Sequence, residues 1–396
     1  MTSHFDLITV GGGLGGSSLA KGVAESGAKV LVIEQETRFK DRVRGEFLTS
    51  WGVDEAKRLG LYEALLKSCA MEIPLIDLGF GPRDLSTTTP CQLAALSYSH
   101  PEMQEAVLEA AQKAGAEVRR GVSVEAIELG KSPAVRVGNA SGTERAEARM
   151  IAAADGRSSA ARKWMGFASR KDQQPFLFAG VQLADVASRN DLAWIVFNPE
   201  NGLLFALTPL SKGRFRAYFG YPTIANYRLQ GEGHFDLFRA ESAKALPPAT
   251  DFYAKAKPIG PLASFEGGHS WVEHPYRDGV ALIGDAAATS DPSFGQGMGF
   301  ALRDARTLRD YLLRESDWDR AGHLFAEDHD AAYRNCHAVS CWFRTVFQEQ
   351  TPEASSIRQR ALPLIMQDPT RVPDHLFSGP QLPADDSVRA RFFGEV

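Results

Sequence analysis

The 396-residue chain has little cysteine: Cys69, Cys91, Cys336 and Cys341 are all it holds. No two form a CxxC pair and no histidine stands at zinc-ligand spacing from a cysteine pair, so the sequence offers no metal site. Cys336, His337 and Cys341 share a helical-looking stretch and could be neighbours; they read as ordinary groups of a reducing compartment. No apolar run approaches the roughly 18 residues that a membrane span needs. Phe5-Asp6-Leu7-Ile8-Thr9-Val10 runs straight into a glycine-rich turn without a charged leader region, which argues against a secretory signal and makes the cytoplasm the expected location. The 44 basic residues are scattered among 49 acidic ones, for a net charge of −5, and supply no basic stripe for a nucleic acid. Internal repeats and low-complexity segments are also missing. What is present is ordinary globular usage, 44% hydrophobic and 23% charged, at a length that suggests about two domains.

The first 34 residues read as strand, glycine-rich turn, helix (Ser17 to Ser26) and buried strand (Lys29 to Ile33). Such a βαβ unit implies a parallel sheet covered by helices. Glu102 to Ala114 is helical in pattern, Val118 to Leu129 reads as strands with turns, and an apolar strand leads into Asp155-Gly156. Between about 175 and 268 the texture changes to short β-rich runs, Trp194–Phe197, Leu203–Leu207 and Arg214–Phe219, separated by hairpin-like turns. In the last run Phe215, Ala217, Phe219 and Tyr221 fall on one face, Arg214, Arg216 and Tyr218 on the other. A buried strand returns at Val280–Asp285, followed by a glycine-rich turn and a helix from Phe300 to Leu313. The remainder is helical until prolines near Pro363, Pro369, Pro373 and Pro380 loosen it. The fold class is therefore α/β: a Rossmann-like dinucleotide domain interrupted by a mostly antiparallel β insert, with a helical C-terminal region.

Gly11, Gly13 and Gly16 form a GxGxxG turn. Gly11 permits the tight turn after the strand, Gly13 lets a pyrophosphate approach the backbone, and Gly16 lets the helix pack close to the strand. The helix N-terminus then presents free N–H groups to the phosphates. Glu34 ends the next strand, where a carboxylate accepts ribose hydroxyls and disfavours a 2′-phosphate, so the turn fits FAD or NAD better than NADP. Two further segments follow buried strands: Asp155-Gly156-Arg157-Ser158-Ser159-Ala160-Ala161-Arg162, and Gly284-Asp285-Ala286-Ala287 with Pro292-Ser293-Phe294-Gly295-Gln296-Gly297-Met298-Gly299. In the latter, glycines would let backbone approach a flat ring.

In this order and spacing the three segments resemble the single-component FAD-dependent aromatic hydroxylases, the para-hydroxybenzoate hydroxylase type of group A flavoprotein monooxygenase. The resemblance spans about residues 5–310. It implies that Gly11, Gly13, Leu14, Gly15, Gly16 and Glu34 hold the ADP half of FAD, with Val124 beside them. Arg44 would lie near the flavin and the nicotinamide path, Gln104 would contact the cofactor from its helix, and Asp155 would be linked to the pyrophosphate and to NAD(P)H. Asp285 would bind the ribityl chain, Pro292 would lie near the reactive edge, and Gly295, Gly297 and Met298 would offer backbone to the isoalloxazine. Three positions depart from the family pattern: His100 stands where an arginine is usual, Ala288 replaces a histidine, and Gly299 replaces an asparagine. The implied units are an FAD-binding domain from residues 1–75, 98–172 and 270–340, a substrate-binding sheet from 76–97 and 173–269, and a C-terminal helical region from 341–396.

The implied reaction uses NADH or NADPH as transient reductant, then O2, to oxygenate an apolar, aromatic small molecule through a flavin C4a-hydroperoxide. The catalytic base is open: His269, Tyr218, Tyr221 and His234 are candidates. Phe205, Phe219, Tyr221 and Phe294 are candidate pocket walls. Other readings are a flavin-dependent halogenase, for which Trp271-Val272-Glu273-His274-Pro275 is a faint echo of the expected WxWxIP segment, an isoprenoid or geranylgeranyl-type reductase, and a non-catalytic flavin-binding protein. The oligomeric state is not legible.

Overall fold

A computed structural model describes residues 3–130, 132–139, 142–172, 176–225 and 227–396. The start of the insert at residue 173 lies outside the described residues. The N-terminal βαβ unit forms as read: the strand Ser3–Val10 pairs in parallel with Val30–Glu34 on one side and with Gly142–Ala153 on the other. Glu117–Arg120 and Val280–Leu282 extend this parallel array at its two ends, and the antiparallel strands Ser123–Glu128, Ala134–Asn139 and Tyr276–Arg277 complete an eight-stranded sheet.

The central strands are buried on both faces, and their side chains divide by parity. Leu7, Val30, Val32, Met150 and Ala152 pack beneath the helices Leu14–Ala24, His100–Lys113 and Gly297–Arg314. Ile8, Val10, Leu31, Ile33 and Ile151 pack on the other side against Val135 and Val137 of the antiparallel strands. The helix ends follow local signals. Leu14–Ala24 stops before Gly27, which sits at φ +87, and His100–Lys113 carries a proline in its first turn and stops before Gly115 at φ +103.

The insert is a second eight-stranded sheet. Phe176–Ala184, Arg214–Pro222, Leu203–Leu210 and Leu192–Asn198 are antiparallel neighbours, while Leu75–Asp77 joins the last of them in parallel. One face is covered by the helices Phe235–Ala245 and Ala249–Phe252, giving a core of Leu177, Val181, Leu207, Phe215, Ala217, Phe238 and Tyr253. The other face, in phase with Phe178, Ala206, Arg216 and Tyr218, turns toward the dinucleotide domain and the C-terminal helices.

The helix Trp318–Phe347 runs without interruption across residue 341, so the dinucleotide domain and the C-terminal region share it. The helix Pro352–Gln367 also departs from expectation, since Pro363 lies inside it rather than ending it. An interior proline costs about 3 kcal/mol of helix stability. Here Ala361 and Ile365 are buried on either side of it in the cluster with Phe343, Phe347 and Phe392, and that packing holds the helix together. No helix of the described residues is long and apolar enough to cross a membrane.

Candidate cofactor and substrate site

The glycine turn is held by contacts that tolerate no side chain. Gly11 adopts φ +102, and a Cβ there would stand 2.4 Å from the Ala154 carbonyl oxygen. A Cβ on Gly16 would stand 2.0 Å from the Gly11 oxygen. The helix beginning at Leu14 therefore sits directly on the strand ends, with no side-chain cap on its first N–H groups. Gly15 packs against Ala301 of the later helix. The Glu34 carboxylate accepts N–H bonds from Gly12 at 2.8 Å and Glu36 at 2.7 Å, so it fixes the turn as well as marking the strand end. Val124 is half-buried in the cluster with Val122, whose N–H reaches the Glu34 carbonyl. On the far side of the turn, Gln104 Nε2 is the nearest atom to Gly13, 3.5 Å from its Cβ direction.

The second and third segments are tied to each other and to the insert. Ser159 Oγ caps the Arg162 N–H at 2.9 Å, and the Arg162 guanidinium donates to the carbonyls of Arg157 and Ala286. Arg157 reaches across to the Glu266 carbonyl at 2.8 Å. Gly284, at φ +58, donates its N–H to Asp304 Oδ2, and Asp304 Oδ1 pairs with His329 Nδ1 at 2.8 Å in the interior. This buried pair fixes the strand end from which Asp285 projects. Arg44 Nη1 lies 3.7 Å from Asp285 Oδ2. Burial pushes the Asp285 carboxyl up, while Arg44, Arg157 and Arg162 pull it down. Asp291 caps the turn at Pro292 through the Ser293 N–H, and Gly295 follows at φ +57. Gly297 opens the helix with Asp285 and Ser290 as its nearest side chains. A Cβ on Gly45 would stand 3.5 Å from the Met298 methyl, and Met298 accepts the Tyr98 hydroxyl at its sulfur, 3.3 Å away.

The candidates separated by hundreds of residues thus form one surface: the turn at 11–16, Gln104, the loop at Arg44-Gly45, and the segment 285–298. Three observations test whether FAD fits it. Asp155 uses Oδ2 to accept the Ala161 N–H but leaves Oδ1 buried and without a partner. Gly156 and Gly295 both have positive φ and, chain neighbours aside, no atom of the described residues within 4 Å of a built Cβ, so backbone there is bare. The first turn of the helix at Leu14 has N–H groups free for phosphate. A bare backbone edge, free amides at a helix start and carboxylates at strand ends suit a dinucleotide with a flat ring.

The three departures from the family pattern have local reasons. Gly299 makes room for the Trp51 ring, which a Cβ would approach to 2.5 Å. That ring is pinned by its Nε1 bond to Gln296 Oε1 at 3.0 Å and by edge contact with Phe300. Gly299→Asn is therefore expected to push the indole out, lowering stability by about 1–3 kcal/mol and lowering flavin content; an unchanged melting temperature would refute it. His100 lies 2.9 Å from the Gly45 carbonyl through Nδ1, and burial lowers its pKa, so here a neutral ring holds the Arg44 loop. Ala288 is buried in a short strand paired with Trp271.

The pocket-wall candidates divide. Phe205, Phe219 and Tyr221 are fully buried on the helix-covered face with Phe238 and Tyr253, away from the cradle. Tyr221 stacks on Phe219 and accepts the Leu229 N–H there. Phe294 lies on the other side, against Phe197 and Phe343. The inner face instead carries Phe178 stacked on Phe265 at 5.6 Å, with Tyr218 edge-on to Phe265 at 6.3 Å. Gly267 lies between Phe178 and Pro292, its built Cβ 3.3 Å from the proline ring. Sequence reading missed Phe178 and Phe265. No signal in the sequence marked Phe178: it lies opposite Gly220 and so shares the face of Arg216 and Tyr218, a register set by strand pairing.

Among the base candidates, His269 is buried against Tyr333 and held down to about 3 by burial and by His337 and Arg344, too low to take a proton at neutral pH. His234 is exposed on the far helix-covered side. Tyr218 alone faces the cradle. Cys336 turns toward Trp51 and Phe300, whereas Cys341 stands 3.8 Å from His337, which pairs with Asp172 at 2.7 Å. A groove of about 530 Å³ lined by Phe167, Arg170, His274, Arg277 and Asp319 lies along the edge strand Tyr276–Arg277 and is lined by no residue of the three FAD segments.

Comparison with known proteins identifies the family and the fold. The family model described as FAD binding domain matches residues 4–327. Rifampicin monooxygenase of Streptomyces venezuelae is 28% identical over 360 residues, 88% of this chain and 73% of that protein. FAD-dependent urate hydroxylase of Klebsiella oxytoca is 28% identical over 343 residues, 80% of this chain and 83% of that protein. The crystal structure of p-nitrophenol 4-monooxygenase PnpA from Pseudomonas putida superposes with a TM-score of 0.77 at 18% identity, covering 94% of this chain and 97% of its own, so the fold is shared. The likeness to aromatic hydroxylases read from three short motifs is borne out over most of the chain, and the chain belongs to the FAD-binding domain family as an FAD-dependent oxidoreductase of the monooxygenase type.

Proposed function

We propose that the chain oxygenates an apolar, aromatic small molecule held between the FAD ring and the inner face of the antiparallel sheet, using O2 and a nicotinamide reductant. The observation that carries this reading is the convergence of Phe178, Phe265 and Tyr218 on one face, with Gly267 wedged between Phe178 and Pro292. FAD, when bound, supplies acceptance of hydride from NAD(P)H and activation of O2. The residues supply the rest. Gly11 to Gly16 and the helix at Leu14 would hold the pyrophosphate, Asp155 and Asp285 would accept hydroxyls of the cofactor, and the amides of Gly297 and Met298 would favour negative charge on the ring. Arg44, half-exposed beside Asp285, stands where a transient reductant can reach it. The aromatic inner face orients the substrate and keeps water from the reacting edge. The partners are a small molecule and O2, and we place the enzyme in the cytoplasm.

The visible spectrum of the purified protein tests this reading, followed by anaerobic addition of NADH and of NADPH. Bound flavin that bleaches with one of them and reoxidises in air is expected, and it names the reductant. A protein that takes up no FAD on reconstitution overturns the reading.

A further inference from the structure

Behind the cradle, the loop Asp41–Glu46 meets the inner face of the antiparallel sheet through buried charges. Arg216 is 1% exposed and Glu46 2%. Arg216 Nη2 lies 2.7 Å from Asp41 Oδ2 and 3.0 Å from Glu46 Oε1. Tyr218 donates its hydroxyl to Glu46 Oε2 at 2.6 Å. One guanidinium thus serves two carboxylates, and with both ionised the group carries one uncompensated negative charge. Away from water that charge is relieved by a proton. Asp41 reaches solvent with about a quarter of its side chain and Glu46 does not, so Glu46 is the carboxylate that takes it.

We propose that Glu46 holds the exchangeable proton of this site and that the Tyr218 hydroxyl connects it to an aromatic ligand bearing an acidic O–H on the inner face of the sheet, an inference that rests on the function proposed above. From the ionised form of Glu46, the ligand O–H bond breaks and its proton passes to the Tyr218 oxygen, while the Tyr218 proton passes to Glu46 Oε2. The ligand is left as an anion and Glu46 as a neutral acid, with no change in electron count. Arg216 Nε and Nη1 have no acceptor among the described residues, which leaves this buried cation with donors for an anionic oxygen. An anionic ring is the more electron-rich one, which is the form an electrophilic oxygen attacks.

The surrounding groups leave this role to Glu46. Its own loop contributes Asp41 and Arg44, and Arg44 faces Asp285. Arg216 and Tyr218 come from the strand Arg214–Pro222. Tyr98 donates its N–H to the Glu46 carbonyl and turns its hydroxyl to Met298, and His100 faces the Gly45 carbonyl. Burial pushes Tyr98 and Tyr218 up and His100 down, away from neutrality. Burial raises Glu46 to about 7, against the pull of Arg216 and the Tyr218 bond.

Infrared difference spectroscopy of the flavin-loaded protein between about pH 5 and pH 9 tests the assignment. A carboxylic-acid carbonyl band is expected at low pH and lost with a midpoint near 7. Glu46→Gln removes this band while keeping the shape of the side chain. Tyr218→Phe keeps it but shifts its frequency and midpoint, because the hydrogen bond is gone. A band that persists in Glu46→Gln, or its absence from the wild type at every pH, overturns the proton assignment. Tyr218→Phe with frequency and midpoint unchanged overturns the link. Flavin content and bleaching by NAD(P)H are read on the same samples, so failure of the flavoenzyme reading is seen separately from failure of the Glu46 titration.

Discussion

Gly16→Ala is expected to yield a protein that purifies nearly colourless. A methyl group at residue 16 would stand 2.0 Å from the Gly11 carbonyl oxygen and 3.1 Å from the Ala154 side chain. The first of these is backbone, fixed by the Gly11 N–H bond to the Ile33 carbonyl, so it cannot rotate aside. The helix Leu14–Ala24 must lift from the strand ends instead, and the amides aimed at the pyrophosphate move with it. Overpacking of this kind costs about 1–3 kcal/mol of stability. The larger effect falls on the cofactor: retained flavin, read as the ratio of visible to ultraviolet absorbance, should fall by about tenfold or more. Gly233→Ala is the control, since a Cβ in that exposed 3-10 turn, Glu232–His234, meets nothing of the described residues within 4 Å. Wild-type flavin content in Gly16→Ala would refute the assignment of the turn.

Arg216→Leu is expected to destabilise the fold by about 3–5 kcal/mol, the usual range for removing one partner of a buried ion pair. The substitution strands Glu46 without a cation in a place where it is 2% exposed. The loss should depend on pH, with a definite sign. The folded pKa of Glu46 lies at about 7, above its ordinary 4.5. Such a group adds stability in full below the lower value and loses that contribution as pH rises through the upper one, a swing of about 3 kcal/mol for the shift given. Wild-type stability should therefore decline between about pH 5 and pH 7, and Glu46→Gln should flatten that slope. In Arg216→Leu the attraction that holds Glu46 down is gone, so the penalty relative to wild type should grow with pH. Urea denaturation at several pH values measures both. A penalty that is the same at acid and alkaline pH would show that Glu46 does not titrate in this network.

The elements that sequence reading placed well are those whose constraints are local. Glycines at 11 and 16 after an apolar strand announce a tight turn because only glycine tolerates the backbone contacts made there. Asp155 and Asp285 announce strand ends because a short carboxylate follows a buried run. The alternation Phe215, Ala217, Phe219, Tyr221 identified one covered face of the insert, since side chains on a strand alternate regardless of what covers them. Helix ends at Gly27 and Gly115 were legible for the same local reason. Pro363 misled because its effect is local too, and distant aromatic packing overrides it.

By itself, then, the sequence determined the α/β fold class, the interrupted dinucleotide domain and the three segments that build one surface, all set by chain-local rules of turns, periodicity and burial. Only the tertiary structure decided which face of the insert turns toward the dinucleotide domain. The pattern of one strand shows two faces, but the helices Phe235–Ala245 and Ala249–Phe252 cover the one that holds Phe205, Phe219 and Tyr221. It likewise decided that Trp51 takes the space beside Gly299, and that Glu46 meets Arg216 and Tyr218 across more than 160 residues of chain. Contacts of that kind arise when separate elements pack together, and their strength comes from exclusion of water, which no segment experiences until the whole fold closes around it.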